Sequence, residues 1–242
     1  MTRRAGSSKI MNPSLKNVLR LILPPILVGP LSRNRSARAK KDARQPESQD
    51  LDIYWSQEMA NTLENWGAGT VWHEIMFLLA NCHGRVLDIA CGTGKTIVLT
   101  SCLPKIEVHG CDISDMLIKK AREHGIDASR LKVCDATNMA YDDDAFAHSY
   151  SIGSLEHFTE DGILKFISEC HRVTRRSSAH MIPVSRSGRD EGWMKTEQSF
   201  FNNSSAWWLT RFRSRYADVV ELDSLWSDTL SVGKWFVCAK AE

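Results

Sequence analysis

With 242 residues, 43% of them apolar and 25% charged, the chain is long enough to bury a substantial core within one domain. Its seven cysteines (82, 91, 102, 111, 134, 170 and 238) are odd in number, scattered and never in C-x-x-C spacing, which argues against a disulfide framework or a structural zinc site and for a reducing compartment. The net charge of +2 hides a division, because residues 1–50 hold eleven Lys/Arg against three Asp/Glu and the remainder twenty against twenty-six.

The basic arm has a pattern of its own. Asn12-Pro13 forms a cap and first-turn pair, Leu15, Val18, Leu19 and Ile22 recur at helical spacing, and Pro24-Pro25 stops the helix. Ile26, Leu27, Val28 and Leu31 extend the apolar surface, and six Lys/Arg from Arg33 to Arg44 follow. An apolar face with a basic flank suits an anionic membrane surface, so residues 12–44 are expected to touch one. A secretory signal with Ala37-Arg38-Ala39 as its cleavage box is a poor rival, given the arginines and the double proline; a tail without structure is the plainer alternative. Residues 32–50 read as a flexible linker, which divides the chain into an arm at 1–50 and a folded body at 51–242. No apolar run is long enough to span a bilayer, and no internal repeat is present.

Met59, Leu63 and Trp66 predict a helix over 56–66, broken by Gly67-Ala68-Gly69, and Trp72, Ile75, Met76 and Leu79 predict a second. Gly84 to Ile89 is a short strand that runs into the turn Ala90-Cys91-Gly92-Thr93-Gly94 and a helix start. Glycines at 92 and 94 permit positive φ and a close approach of backbone to a ligand, while the helix start directs free N–H groups at it. A P-loop would need glycine at position 89, which is Ile89, and a G-x-G-x-x-G fingerprint would need it at Ile97. Asp88 ends this strand, and Asp112 ends the next, Ile106–Cys111, one βαβ repeat later.

The turn and its two acids resemble the first motifs of class I S-adenosylmethionine (SAM)-dependent methyltransferases, whose usual pattern is D-x-G-x-G-x-G; Ala90 and Cys91 depart from it. The resemblance covers roughly residues 52–240. It implies a Rossmann-like α/β fold, a seven-stranded mixed sheet flanked by helices, with SAM as cofactor and S-adenosylhomocysteine (SAH) as product. It also implies cofactor contacts from Asp88, Ala90, Cys91, Gly92, Gly94, Ile113 and Met116. Asp112 would accept from both ribose hydroxyls, as an ionised carboxylate does well; the plainer role is a helix cap. In the preceding helices Tyr54, Trp55, Trp66, Trp72 and His73 would cover the cofactor or shape the acceptor pocket, or else pack as core.

Leu131–Cys134 is the third strand, and Asp135-Ala136 after it stands at the family's adenine position. Asp142-Asp143-Asp144 reads as a solvated turn. The fourth strand, Ala145–Ser151, opens into Ile152-Gly153-Ser154-Leu155-Glu156-His157-Phe158, and Ser151 and Gly153 join the expected cofactor contacts. Ser-Leu-Glu-His-Phe is similar to a segment of many small-molecule O-methyltransferases. Methyl transfer is a direct displacement, so the protein supplies alignment and a base; His157 suits that role, and Glu156 would orient it or bind a divalent ion, although a packing or capping histidine is equally open.

Residues 160–173 are an amphipathic helix, Ala179–Val184 a fifth strand, and the loop Ser185–Trp193 follows. Arg186 and Arg189 would clamp an acceptor phosphate or carboxylate and Trp193 would stack on a sugar, or these arginines are simply solvated. A helix through Trp207, Trp208, Leu209 and Phe212 precedes two closing strands, Val219–Leu222 and Val232–Ala239. An acidic body and the absence of an N/D-P-P-Y/F segment disfavour a nucleic-acid partner. With its basic arm the chain looks like methyltransferases of bacterial surface-polysaccharide pathways. That resemblance implies a cytoplasmic enzyme, peripheral on the inner face of the membrane, that O-methylates a sugar hydroxyl or terminal phosphate of a lipid-linked glycan. A quinone or other lipophilic hydroxyl is the alternative acceptor, and a SAM-binding, membrane-tethered partner protein the alternative outside enzymes.

Overall fold

In a computed structural model, residues 47–240 are described; the arm at 12–44 and the greater part of the expected linker lie outside them. Seven strands form one sheet in the order β3-β2-β1-β4-β5-β9-β8, with β1 (Gly84–Ile89), β2 (Ile106–Asp112), β3 (Leu131–Val133), β4 (Phe146–Ile152) and β5 (Thr174–Ser185) parallel. β9 (Ser231–Ala239) runs antiparallel to β5, and β8 (Asp218–Ser227) antiparallel to β9 at the edge. This is the seven-stranded mixed sheet expected. The strand order reverses between β1 and β4, which is where an open α/β sheet leaves a crevice beyond the carboxyl ends of its strands.

Alternation along the central strands divides the core in two. Leu87 and Ile89 face one side with Phe146, Phe166, Ile167, Trp208, Phe212 and Phe236, under α5 (Glu160–Val173) and α6 (Ser205–Phe212). Val86 faces the other with Val108, Tyr150, Met181 and Trp235, under α2 (Val71–Leu79), α3 (Lys95–Thr100) and α4 (Asp115–Glu123). Helices on both faces explain why β1 is buried without alternation from Val86 to Ile89. Serine or threonine caps fix most of the helix starts: Ser56 accepts from the Met59 N–H at the head of α1 (Gln57–Leu63), and Ser114, Thr159 and Ser204 do the same for α4, α5 and α6.

Departures from the sequence reading are local. α1 ends at Leu63, and a 3-10 turn at Asp52–Trp55 precedes it. β5 begins five residues early, directly from α5, because its first turn carries Thr174 into the sheet beside Phe146. The loop expected at Ser185–Trp193 ends in a two-stranded ribbon, β6 (Trp193–Met194) with β7 (Phe200–Phe201). Asp142–Asp144 is the exposed turn expected, with Asp143 paired to Arg172 and Asp144 to Lys240. No helix among the described residues is long and apolar enough to cross a membrane.

Glu74 fastens α2 to the far edge of the sheet. Its Oε2 accepts from the Ser224 hydroxyl and from the Trp235 indole N–H, both at 2.7 Å, and its Oε1 from the Leu225 N–H at 2.6 Å. Trp235 is almost wholly buried, so its N–H has no water to fall back on. Glu74→Ala is expected to cost about 1–3 kcal/mol of stability through the orphaned donors, read as a lower urea midpoint at unchanged slope.

Candidate active site

The glycine-rich turn is built as its composition requires. Gly92 and Gly94 have φ of 54° and 74°, and Ala90, at the first glycine of the D-x-G-x-G-x-G pattern, also takes a left-handed φ of 58°. A non-glycine residue there carries strain of about 1–2 kcal/mol. A Cβ on Gly94 would lie 2.5 Å from Ile126 Cδ1, so the turn seats directly on α4 and the segment after it. Lys95, in the tempting Gly-Lys-Thr, pairs with Glu64 at 2.7 Å, and Glu64 lies 3.4 Å from His124 Nε2, so this lysine serves the joint between the end of α1 and the turn.

Asp112 connects that turn to β2. Its Oδ2 accepts from the Gly92 N–H and its Oδ1 from the Ser114 N–H, each at 2.9 Å. Each oxygen keeps a lone pair, which is what two ribose hydroxyls require. Burial pushes its carboxyl up to about 6 against those backbone bonds. Asp135 holds its own turn through Oδ1, which accepts from the Thr137 N–H and hydroxyl, leaving Oδ2 for a donor such as an adenine amine.

Both acids open onto one cleft of about 400 Å³. Of the expected cofactor residues, Ala90, Gly92, Asp112, Ile113, Asp135, Ala136 and Gly153 line it. A Cβ on Gly153, where φ is 60°, would lie 2.7 Å from the Trp66 ring, so the wall closes only over glycine. Asp88 and Cys91 line instead a small adjoining cavity of about 50 Å³. There Asp88 Oδ2 accepts from the Thr96 and Tyr150 hydroxyls, and burial raises its carboxyl to about 7. Gly94, Met116 and Ser151 line neither; the Ser151 hydroxyl bonds His180 Nδ1 in the core.

The expected catalytic pair stands in the same cleft. His157 Nδ1 lies 2.9 Å from the Ser199 carbonyl, so it carries the proton and donates, leaving Nε2 as an acceptor. The Ser199 N–H in turn donates to Asp50 Oδ2 at 2.8 Å, and Glu47 Oε2 accepts from the Glu160 N–H. The end of the expected linker is thereby bonded to the body. Burial lowers His157 to about 4 and raises Glu156 to about 8. Glu156 Oε1 lies 3.6 Å from His157 Nε2, too far for a hydrogen bond, so it is Ser199 rather than Glu156 that orients the imidazole. No group of three or more His, Cys, Asp or Glu among the described residues is arranged to hold a metal ion.

The expected acceptor clamp is not at the cleft, since none of Arg186, Arg189 and Trp193 lines it. Arg186 donates to the carbonyls of Asp228 and Ser231 and braces the turn between β8 and β9, Arg189 is exposed, and Trp193 packs on Phe201. In their place the walls come from Tyr54, Met59, Leu63, Trp66, Phe158, Phe200 and Trp226, with the rings of Trp66 and Trp226 5.7 Å apart. Tyr54 and Trp66 were legible as pocket candidates, whereas Phe200 and Trp226 carry no local signal and reach the cleft through the β6–β7 ribbon and the closing strand β8. Trp72 lines the small cavity, the Trp55 indole donates to Asp115, and His73 is exposed.

A doubly wound sheet with this strand order, together with a glycine turn and two strand-end acids on one crevice, is the architecture that class I SAM-dependent methyltransferases share. Residues 86–177 match the family described as a methyltransferase domain. A probable tRNA methyltransferase 9B of Mus musculus is 35% identical over 100 residues, 41% of this chain, and the chain spans only about a fifth (21%) of that relative. Two solved structures with SAH bound share the fold. The 1,6-didemethyltoxoflavin-N1-methyltransferase of Burkholderia thailandensis aligns with a TM-score of 0.62 at 14% identity, over 79% of this chain and 86% of its own. The magnesium protoporphyrin IX methyltransferase of Synechocystis PCC 6803 aligns with a TM-score of 0.58 at 13% identity, over 78% and 97%. SAM is the cofactor this domain implies, and the paired acceptor oxygens of Asp112 and the glycine-only walls at 92 and 153 fit it.

The raised carboxyls have a consequence for stability. A group with a raised folded pKa contributes stability that is lost as pH climbs through that value; Asp88 and Glu156, at about 7 and 8, act this way between pH 6.5 and 8.5. His157 and His180, lowered to about 4 and about 3, act in the opposite direction, and their effect ends only once pH has passed the ordinary histidine value of about 6.5. Measured against Glu156→Gln, the ligand-free protein is therefore expected to lose on the order of 1–2 kcal/mol more over this range. Thermal midpoints across the pH series should fall accordingly, with a flatter slope in Glu156→Gln.

Proposed function

We propose that the chain transfers the methyl group of SAM to a hydroxyl of an uncharged small acceptor, with His157 as the base. The observation that carries this is the fixed tautomer of His157: its Nδ1–H is held by Ser199, and its Nε2 lone pair faces the cleft that Asp112 and Asp135 share. Bound SAM would supply an electrophilic methyl on a positively charged sulfur, and the chain's own part is to take the proton of the attacking hydroxyl. The acceptor proton passes to His157 Nε2, so the positive charge that disappears from sulfur reappears on imidazole and the cleft's net charge is unchanged. Asp50, whose charge favours protonated His157, offsets part of the cost of burying that charge.

An uncharged acceptor is favoured because no Lys or Arg is among the described residues lining the cleft, while Asp112, Asp135, Glu156 and Asp228 are. That weighs against the terminal phosphate among the expected acceptors, and against a polyanion such as the tRNA in the name of the mouse relative. A sugar hydroxyl of a surface glycan, presented on lipid to a membrane-contacting arm, remains the first reading. The aromatic walls at Tyr54, Trp66, Phe200 and Trp226 favour a second, a flat lipophilic hydroxyl such as a hydroquinone. A SAM-binding partner protein would use the same cofactor half without needing His157.

Calorimetric titration with SAM and SAH is the first test. Both should bind, and Asp112→Ala should weaken them by about 1–3 kcal/mol, the cost of unpaired hydroxyls; unaltered affinity would remove Asp112 from the site. With any hydroxyl acceptor that turns over, His157→Ala should lower kcat about 10²–10⁴-fold at near-normal SAH affinity. Near-normal turnover in that variant would reject the base assignment.

The arm is tested separately. Full-length protein should sediment with vesicles containing anionic lipid and lose this on deletion of residues 1–46, a boundary that spares the Glu47 and Asp50 bonds. Unchanged partitioning would reject membrane contact through residues 12–44.

A further inference from the structure

Glu156 is the least satisfied polar group in the cleft. The residue is 2% exposed, and its Oε2 has no hydrogen-bond partner among the described residues. Its Oε1 stands 3.6 Å from His157 Nε2, so the two neighbours do not satisfy one another. Oε2 is sealed from solvent, so the edge of this carboxyl open to a partner from outside the chain is Oε1, beside His157 Nε2.

We infer that the acceptor is a vicinal diol, one hydroxyl facing His157 Nε2 and its neighbour held by the Glu156 carboxyl. This rests on the methyl-transfer reading and narrows its substrate class. The oxygens of a gauche vicinal diol lie about as far apart as hydrogen-bonded oxygens, so such a pair fits between two groups 3.6 Å apart and bonds to both. Donors and acceptors match as well. His157 Nε2 can only accept, since Nδ1 holds the proton, and it takes the proton of the hydroxyl to be methylated. Burial keeps Glu156 protonated at neutral pH, so the carboxyl oxygen beside His157, Oε1, meets the second hydroxyl as donor or as acceptor, while Oε2 stays sealed behind it. A lone hydroxyl would leave Glu156 unmatched. An adjacent carboxylate or phosphate would meet no cation on the lining, and an ammonium would need the ionised acid that burial disfavours.

The diol can come from a saccharide ring or from a catechol, and two matched pairs separate these sources. SAH-loaded protein is titrated, by ligand-observed NMR, with cis-tetrahydropyran-3,4-diol against tetrahydropyran-4-ol, and with catechol against phenol. In at least one pair the diol should bind about ten-fold more tightly than its mono-hydroxy counterpart; the pair that shows this names the source. Glu156→Leu should abolish the advantage while binding SAH normally, which certifies its fold, and Glu156→Gln, which keeps a donor and an acceptor, should retain most of it. Equal affinities within both pairs, no binding of any probe, or an advantage that survives in Glu156→Leu would each overturn the inference. Methyl transfer from labelled SAM to the preferred diol is followed in parallel. A diol preference through Glu156 without any transfer would count against the methyl-transfer reading and not against the binding site.

Discussion

The cleft depends on the way one carboxylate is shared between two strands. Asp112 ends β2, yet its Oδ2 is bonded to the N–H of Gly92 in the turn after β1, and its Oδ1 to the N–H of Ser114, which caps α4. Three elements that meet at the reversal of strand order are therefore fixed by a single side chain. The left-handed turn at Ala90, Gly92 and Gly94 is held open against the strain at Ala90 because its amide is spoken for. Because the two backbone donors use one lone pair on each oxygen, the carboxylate is oriented before any cofactor arrives, which lowers the ordering cost of binding.

Around that fixed point the protein keeps several ionisable groups in unfavourable forms. Burial raises Asp88, Asp112 and Glu156 and lowers His157 and His180. Asp88 is matched inside the fold by Thr96 and Tyr150, and His180, bonded to Ser151 through Nδ1 with Nε2 left unpartnered, is sealed in the core away from the cleft. Glu156 and His157 differ from them in facing a cleft with an unused atom each. Perturbed groups that cluster on an open cavity mark a functional site more than those sealed in a core do.

Much of the fold was legible because the central strands carry short apolar runs and most of the helices start at a serine or threonine cap, signals that do not depend on distant contacts. The cofactor half was legible for the same reason, since Gly92, Asp112, Asp135 and Gly153 lie at strand ends where topology places the crevice. Away from those points the expected residues do not reach the cleft: Met116 lines neither cavity, and Ser151, one residue before the strand's end, bonds His180 in the core. The acceptor wall was mostly illegible. Phe200 and Trp226 are distant in sequence, and only pairing of β6 with β7 and of β8 with β9 brings them round.

Arg186 shows why a charged loop in the right place misleads. Its guanidinium was a natural anion clamp by position, but it donates to the carbonyls of Asp228 and Ser231, and those two residues, not the arginine, reach the cleft. Its influence on the acceptor is exerted through the shape of a turn. With Arg186 turned to backbone, the described residues of the cleft present aromatic faces, acceptor oxygens and a neutral imidazole. Such a surface binds through stacking and uncharged hydrogen bonds, and selectivity then falls to the few polar atoms left unmatched. On this wall the sharpest of those are His157 Nε2 and the Glu156 carboxyl, which is why the spacing between them, more than the overall size of the cleft, sets the chemistry of the acceptor.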